Sequence, residues 1–213
     1  MPVGYAFLGV SRTQVASRGR GLSPTLVRVE NARGGRLSSE LAEWAAPAAL
    51  AGLRDEYLAF LAEHGDAALE RDGGPEHVTA SCFVLSPALD RVLLCYHRKG
   101  RFWVQLGGHV ESADASVPAA AEREACEESG LPALTLLGPV PLDLDRHGLG
   151  GGFGRCSTHW DIGYGAIADP AQPFAVSDES DALAWWPVDA LPEDVPPGFP
   201  ERLAGALAAA RRL

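Results

Sequence analysis

The chain has 213 residues, 46% apolar and 22% charged, which is ordinary usage for one main domain with a sizeable core. A formal net charge of −10 argues against a polyanion-binding surface and sets nucleic acid aside as a partner. A small phosphorylated ligand stays compatible with that charge, because bound cations override the overall field locally.

Residues 1–36 read as an appended arm, since the first 29 hold four arginines (Arg12, Arg18, Arg20, Arg28) and no acid. That bias suits a transit segment, a disordered leader, or an arm packed on the domain or on the second subunit of a homodimer. Residues 37–75 favour two helices packed as a hairpin. Leu41 and Trp44 precede Pro47, and Leu53, Tyr57, Leu58 and Leu61 then recur at three- and four-residue steps. This stripe reads as a docking face against the domain that follows.

Strand signals begin after Gly73-Gly74-Pro75. Residues 76–85 and 92–96 form a hairpin around the turn at Pro87 to Asp90, and Phe102 to Leu106 make a further strand leading into Gly107-Gly108. Beyond an acidic helix, residues 135–144, 158–167 and 183–186 read as strands, and a last helix runs from about Pro200 to Arg212 with arginines at its C-terminal dipole. Strands on both sides of a helix predict an α/β (α+β) domain over 76–213, a mixed sheet flanked by helices. The glycine-rich segment Gly148 to Gly154 lacks a Lys-Ser/Thr ending, so it reads as a mobile loop beside the cleft rather than a P-loop.

The chemistry concentrates in Arg123-Glu124-Ala125-Cys126-Glu127-Glu128-Ser129-Gly130. At about 100° per residue, Glu124, Glu127 and Glu128 share one helix face, with Ser116 as N-cap, Pro118 in the first turn and Gly130 able to end the helix. Two carboxylates ~4 Å apart repel by ~1 kcal/mol in water and ~4 kcal/mol at an effective dielectric near 20, so the trio needs compensating cations. Arg123 supplies one. Hard divalent ions suit the rest, because all-oxygen ligation favours Mg²⁺ or Mn²⁺ over zinc or copper.

From Gly107-Gly108 to Leu131 this stretch resembles the Nudix box: a Gly, five residues, Glu, seven residues, then Arg-Glu-apolar-x-Glu-Glu-x-Gly-apolar. Gly108 and the whole tail match. Asp114 stands where the pattern has its first Glu, and eight residues rather than seven separate it from Arg123. The resemblance implies an α/β/α sandwich with a mixed sheet, acting as a hydrolase of diphosphate bonds. It implies that Glu124, Glu127 and Glu128, with a Gly107 or Gly108 carbonyl, hold Mg²⁺ or Mn²⁺, and that Arg123 orients the carboxylates. It also implies a further acid in a late loop, for which Glu179 is the best-placed candidate and Asp178 and Asp181 are alternatives.

Several residues could hold a substrate, expected to be a small, phosphorylated, nucleotide-derived molecule. Arg98 and Arg101 lie in a basic turn before Gly107, though a solvated turn would read the same. His109 follows the double glycine. Alternation in 158–167 puts His159, Asp161, Gly163 and Gly165 on one face, read as a cleft wall with glycines making room for a ligand. Trp103, Trp160, Trp185 and Trp186 could stack on a base or simply fill the core.

Zinc is not expected. The cysteines Cys82, Cys95, Cys126 and Cys156 show no C-x-x-C spacing, and His147 and His159 lack paired metal spacing, so reduced thiols are anticipated. With no apolar run of the roughly 18 to 20 residues that cross a bilayer, the reading is cytoplasmic, with no membrane partner. Two alternatives to a diphosphate hydrolase stay open. One is a catalytically silent Nudix-like binding module. The other is an isoprenyl diphosphate isomerase, which would need a reactive cysteine such as Cys82 or Cys95.

Overall fold

Gly73-Gly74-Pro75 ends the helical segment and opens β1 (Glu76–Leu85), where every residue after the first is buried. A strand buried on both faces belongs inside a sheet. The computed structural model, which describes residues 32–132, 134–150, 156–175 and 180–213, places it there. One edge of β1 pairs in parallel with β7 (Thr158–Ile167), from Glu76↔Thr158 to Leu85↔Ile167. The other edge pairs antiparallel with β4 (Leu106–His109) near its start and with β2 (Arg91–His97) near its end. β2 pairs with β3 (Phe102–Val104) on the edge it shares with β1, and with β8 (Ser180–Pro187) on its other edge. Outward from β7 lie β5 (Thr135–Leu136) and β6 (Asp143–Gly148), which completes an eight-stranded mixed sheet.

The two faces follow from β1 parity. Val78 and Ala80 point to one side, where α1 (Arg33–Glu43), α2 (Ala51–His64) and α3 (Val117–Ser129) share a core with Ile162 and Tyr164. Phe83 and Leu85 point to the other, where α4 (Phe199–Ala210) packs Phe199, Leu203 and Leu207 against them. Helices therefore cover both faces, an α/β/α sandwich.

The N-terminal helical segment is fastened to this sandwich. Phe60 stacks on Trp160 at 4.5 Å, and the Tyr57 hydroxyl donates to the carbonyl oxygens of Asp161 at 2.7 Å and Asp145 at 3.0 Å. At its front, Arg33 donates to the Glu111 carbonyl at 2.6 Å and Arg36 to that of Ala115 at 3.1 Å. These two bonds bracket the loop that enters α3. The helix begins at Arg33, four residues ahead of the boundary expected at 37. Residues 1–31 of the arm, and most of the Gly148 to Gly154 loop, lie outside the described residues.

Three expectations are corrected. The strand expected at 102–106 is two strands, because Gln105 turns its amide inward to Ser81 Oγ and Asp161 Oδ2, both at 3.2 Å. The strand expected at 135–144 is interrupted, because Pro139 and Pro141 bring no N–H to a ladder, and β6 starts only at Asp143. Gly163 and Gly165 do not leave space for a ligand. A Cβ at Gly163 would lie 2.8 Å from the Phe83 ring, and one at Gly165 would lie 2.5 Å from Leu142 Cδ1. The chain's own core fills that room. Gly165→Ala should therefore destabilise the fold by about 1–3 kcal/mol through overpacking, read as a lower denaturant midpoint at unchanged slope.

Candidate active site

The acidic helix sits where small residues let it. Ser116 caps α3 by accepting from the Ala119 N–H at 3.3 Å, Pro118 occupies the first turn, and Gly130 ends the helix at φ 65°. Ala120, Ala121 and Ala125 are buried, so the helix lies close against the sheet. Its polar side then meets the double glycine of β4. A Cβ at Gly108 would come within 2.6 Å of the Glu124 carboxyl carbon, so only glycine leaves that carboxylate its seat. One residue earlier, the Gly107 N–H donates to Glu128 Oε2 at 2.8 Å.

The three glutamates consequently lie at different depths. Glu128 is buried, Glu124 is 15% exposed and Glu127 is 60% exposed. Arg123 ties them together. It grips Asp114 with two bonds, Nε to Oδ1 at 2.9 Å and Nη2 to Oδ2 at 3.0 Å. Its Nη1 donates to Glu124 and to Glu127, both at 3.0 Å, and Nη2 donates to the His109 carbonyl at 3.0 Å. Asp114 also accepts from the Glu111 N–H at 2.8 Å. The substitution of Asp for Glu and the added spacer residue thus still deliver a bidentate partner to Arg123, an arrangement sequence spacing alone does not reveal.

Burial pushes the Asp114 carboxyl up, but the hydrogen bonds and charge of Arg123 and the Glu111 N–H outweigh it and hold the pKa below its usual value. Because the folded pKa is depressed, the stability it contributes is complete above the unfolded carboxylate value of about 3.9 and is lost as pH falls through the folded pKa. Asp114→Asn should lower stability by about 1–3 kcal/mol at neutral pH, with the difference from the native chain shrinking below about pH 4 in pH-dependent denaturation.

The opposite face of the sheet carries a second polar row. Asp161, 4% exposed, accepts from Thr79 Oγ1 at 3.0 Å and Ser81 Oγ at 2.6 Å, besides Gln105. Arg202 of α4 reaches Asp143 at 2.7 Å, Asp145 at 2.9 Å and Asp161 at 3.5 Å. Burial raises the Asp143 pKa to about 6, with Arg202 pulling the other way. Of this row, the sequence reading found only Asp161. The strand alternation around Asp143 and Asp145 was the signal available for the others.

The remaining predicted residues are placed as follows. Arg98 is held by Asp181 at 2.8 Å and donates to the Ser180 carbonyl, while the Arg101 guanidinium lies over the Tyr96 ring at 5.8 Å. Glu179 and Asp178 lie outside the described residues. Trp160 is stacked by Phe60, and Trp103 meets Trp186 edge-on at 5.4 Å. His109 and His159, expected separately as substrate contacts, converge with His77 and Cys156 so that one ligand-type atom from each lies within 4.8 Å of the others. Strand pairing thus brings together donors far apart in sequence, which spacing along the chain does not reveal. Cys156-Ser-Thr-His159, two ligand-type residues separated by two, was the legible hint.

Fold and site together define an α+β enzyme domain built around a carboxylate-bearing helix on a double-glycine strand. A family model described as the NUDIX domain matches residues 75–209, and the chain belongs to the Nudix family. It is a Nudix-type hydrolase. A hydrolase of that family from Clostridium perfringens is similar in structure at TM-score 0.52 and 25% identity, over 62% of this chain and 97% of that one. The MutT protein of Methanosarcina mazei Go1 aligns at TM-score 0.52 and 16% identity, over 66% and 98% of the two chains. The dihydroneopterin triphosphate pyrophosphohydrolase of E. coli aligns at TM-score 0.51 and 18% identity, over 62% and 95%. A search of curated proteins finds no match.

The glycine seat makes its own prediction. Gly108→Ala should fold but displace the Glu124 carboxylate; if Glu124 ligates a divalent ion as the resemblance implies, turnover should then need at least roughly tenfold more metal in a titration against Mg²⁺.

Proposed function

We propose that the chain hydrolyses the diphosphate bond of a nucleoside diphosphate linked to another group, releasing two phosphorylated products. The observation that carries this reading is the Arg123 cluster, which holds Asp114, Glu124 and Glu127 around one guanidinium while Glu128 is fixed to the Gly107 N–H. The donors fit a hard divalent cation: they are carboxylate oxygens, and the Glu124 carboxylate is seated directly over Gly108. Glu124, Glu127, Glu128 and the Gly108 carbonyl would hold Mg²⁺ or Mn²⁺. When bound, such ions neutralise the charge that protects a phosphoanhydride and make bound water more acidic.

The chain's own residues supply position. Arg123 fixes the rotamers of Glu124 and Glu127, so their oxygens are ordered before substrate arrives. Arg98 and Arg101 are the proposed phosphate contacts, with Arg98 exchanging its exposed pairing with Asp181 for a phosphate oxygen. Glu179 is the proposed loop acid that takes a proton from the attacking water.

The isomerase alternative has no support in the two cysteines. Cys82 and Cys95 are buried, and burial, the largest influence on both, raises the thiol of the first and pushes that of the second up to about 12. Thiols so placed are inert.

Phosphate release should be measured over nucleotide sugars, dinucleotides, nucleoside triphosphates and isoprenyl diphosphates, with and without Mg²⁺. The native chain is expected to turn over a diphosphate-linked nucleoside only with metal, and Glu127→Gln should lower kcat by about 10² or more. Ligand-induced thermal stabilisation without turnover of any substrate would instead favour a binding module. For Glu179→Gln, turnover should fall while the metal requirement stays the same; unaltered turnover would remove Glu179 from the reaction.

A further inference from the structure

The sheet carries a second group of metal-ligand side chains on the face away from α3. His77 near the start of β1 lies directly beside His159 in the parallel register, and His109 at the end of β4 pairs across from Thr79, two residues along. All three side chains therefore share one face. Their rings pack at 5.0 Å (His77 with His109), 5.0 Å (His77 with His159) and 5.3 Å (His109 with His159). Cys156, two residues before β7, completes the group.

The hydrogen bonding of these rings is incomplete. Among the described residues, buried side-chain polar atoms without a hydrogen-bond partner gather here: Nε2 of His109, Nε2 of His159 and at least one ring nitrogen of His77, whose ring otherwise hydrogen-bonds only to the Gly74 main chain. Each orphaned polar group costs on the order of 1–3 kcal/mol, so concentrating them at one point is unfavourable unless something binds there.

We propose that His77, His109, His159 and Cys156 form a tetrahedral zinc site, separate from the glutamates of α3 and structural in role. Three imidazoles and a thiolate are a nitrogen and sulfur donor set that suits zinc and not magnesium. With Zn–N near 2.0–2.1 Å and Zn–S near 2.3 Å, ligand atoms lie roughly 3.3–3.6 Å apart. The present spread of at most 4.8 Å needs a contraction on the order of 1 Å, within reach of side-chain rotation. As the metal–sulfur bond forms, the Cys156 thiol releases its proton to solvent. Four protein ligands close the shell, so the ion staples β1, β4 and the approach to β7 rather than binding water for catalysis. It also bears on the active site through His109, whose carbonyl accepts from Arg123 and which directly follows Gly108.

The test uses the full-length chain purified without a metal-chelating tag. Metal analysis should find near-stoichiometric zinc, and Co²⁺ replacement should give tetrahedral d–d absorption with a thiolate-to-cobalt charge-transfer band. Cys156→Ser should lose that band and most of the zinc, and His109→Asn should lose most of the zinc. Stripping zinc with a chelator should lower the thermal midpoint of the native chain and not that of Cys156→Ser. Glu127→Gln should keep its zinc, whatever its hydrolytic activity. The proposal is overturned if the native chain takes up neither zinc nor cobalt, if Cys156→Ser and His109→Asn retain native zinc content, or if Glu127→Gln loses zinc as they do.

Discussion

Carboxylates crowd the last turns of α3 and the loop ahead of it, and in so partly buried a place like charges repel by several times their cost in water. Arg123 is what makes the crowding tolerable. Its planar guanidinium spends five donor contacts on Asp114, Glu124, Glu127 and the His109 carbonyl, a geometry a lysine ammonium could not reproduce. The contacts link the loop before the helix, the helix itself and the strand beneath it. The α1–α2 hairpin adds to the same point through Arg33 and Arg36, which hold the loop bearing Asp114 from outside.

The same physics recurs on the other face. Asp143, Asp145 and Asp161 are gathered on neighbouring strands, and Arg202 reaches in from α4 to compensate them. Tyr57 ties the two faces together by donating to main-chain oxygens of Asp161 and Asp145 from the α2 side of the sheet. A central strand whose alternate residues serve an apolar core and a polar row explains why β1 reads as nearly continuous burial although it contains His77, Thr79 and Ser81.

Much of the fold was legible because its signals are local. The strand runs after Gly73-Gly74-Pro75, the Ser116 cap and the Gly130 stop depend on residues a few positions apart. The acidic tail of α3 was legible for the same reason: three glutamates and an arginine within six residues share a face on any helix. What local signals hid was how deep each carboxylate lies, since that depends on the strand underneath. Gly163 and Gly165 were misread for the same cause, because only the packed core shows that Phe83 and Leu142 fill the space above them.

By itself, then, the order of residues determined an α+β domain with a carboxylate helix and the kind of cation its oxygens suit, since periodicity, capping and donor chemistry are properties of short segments. Tertiary structure alone decided that Asp114 clasps Arg123, that Arg202 answers three aspartates, and that His77, His109, Cys156 and His159 share one point. Those are meetings of residues tens of positions apart, and they exist only once strand register and helix docking have fixed which side chains face one another.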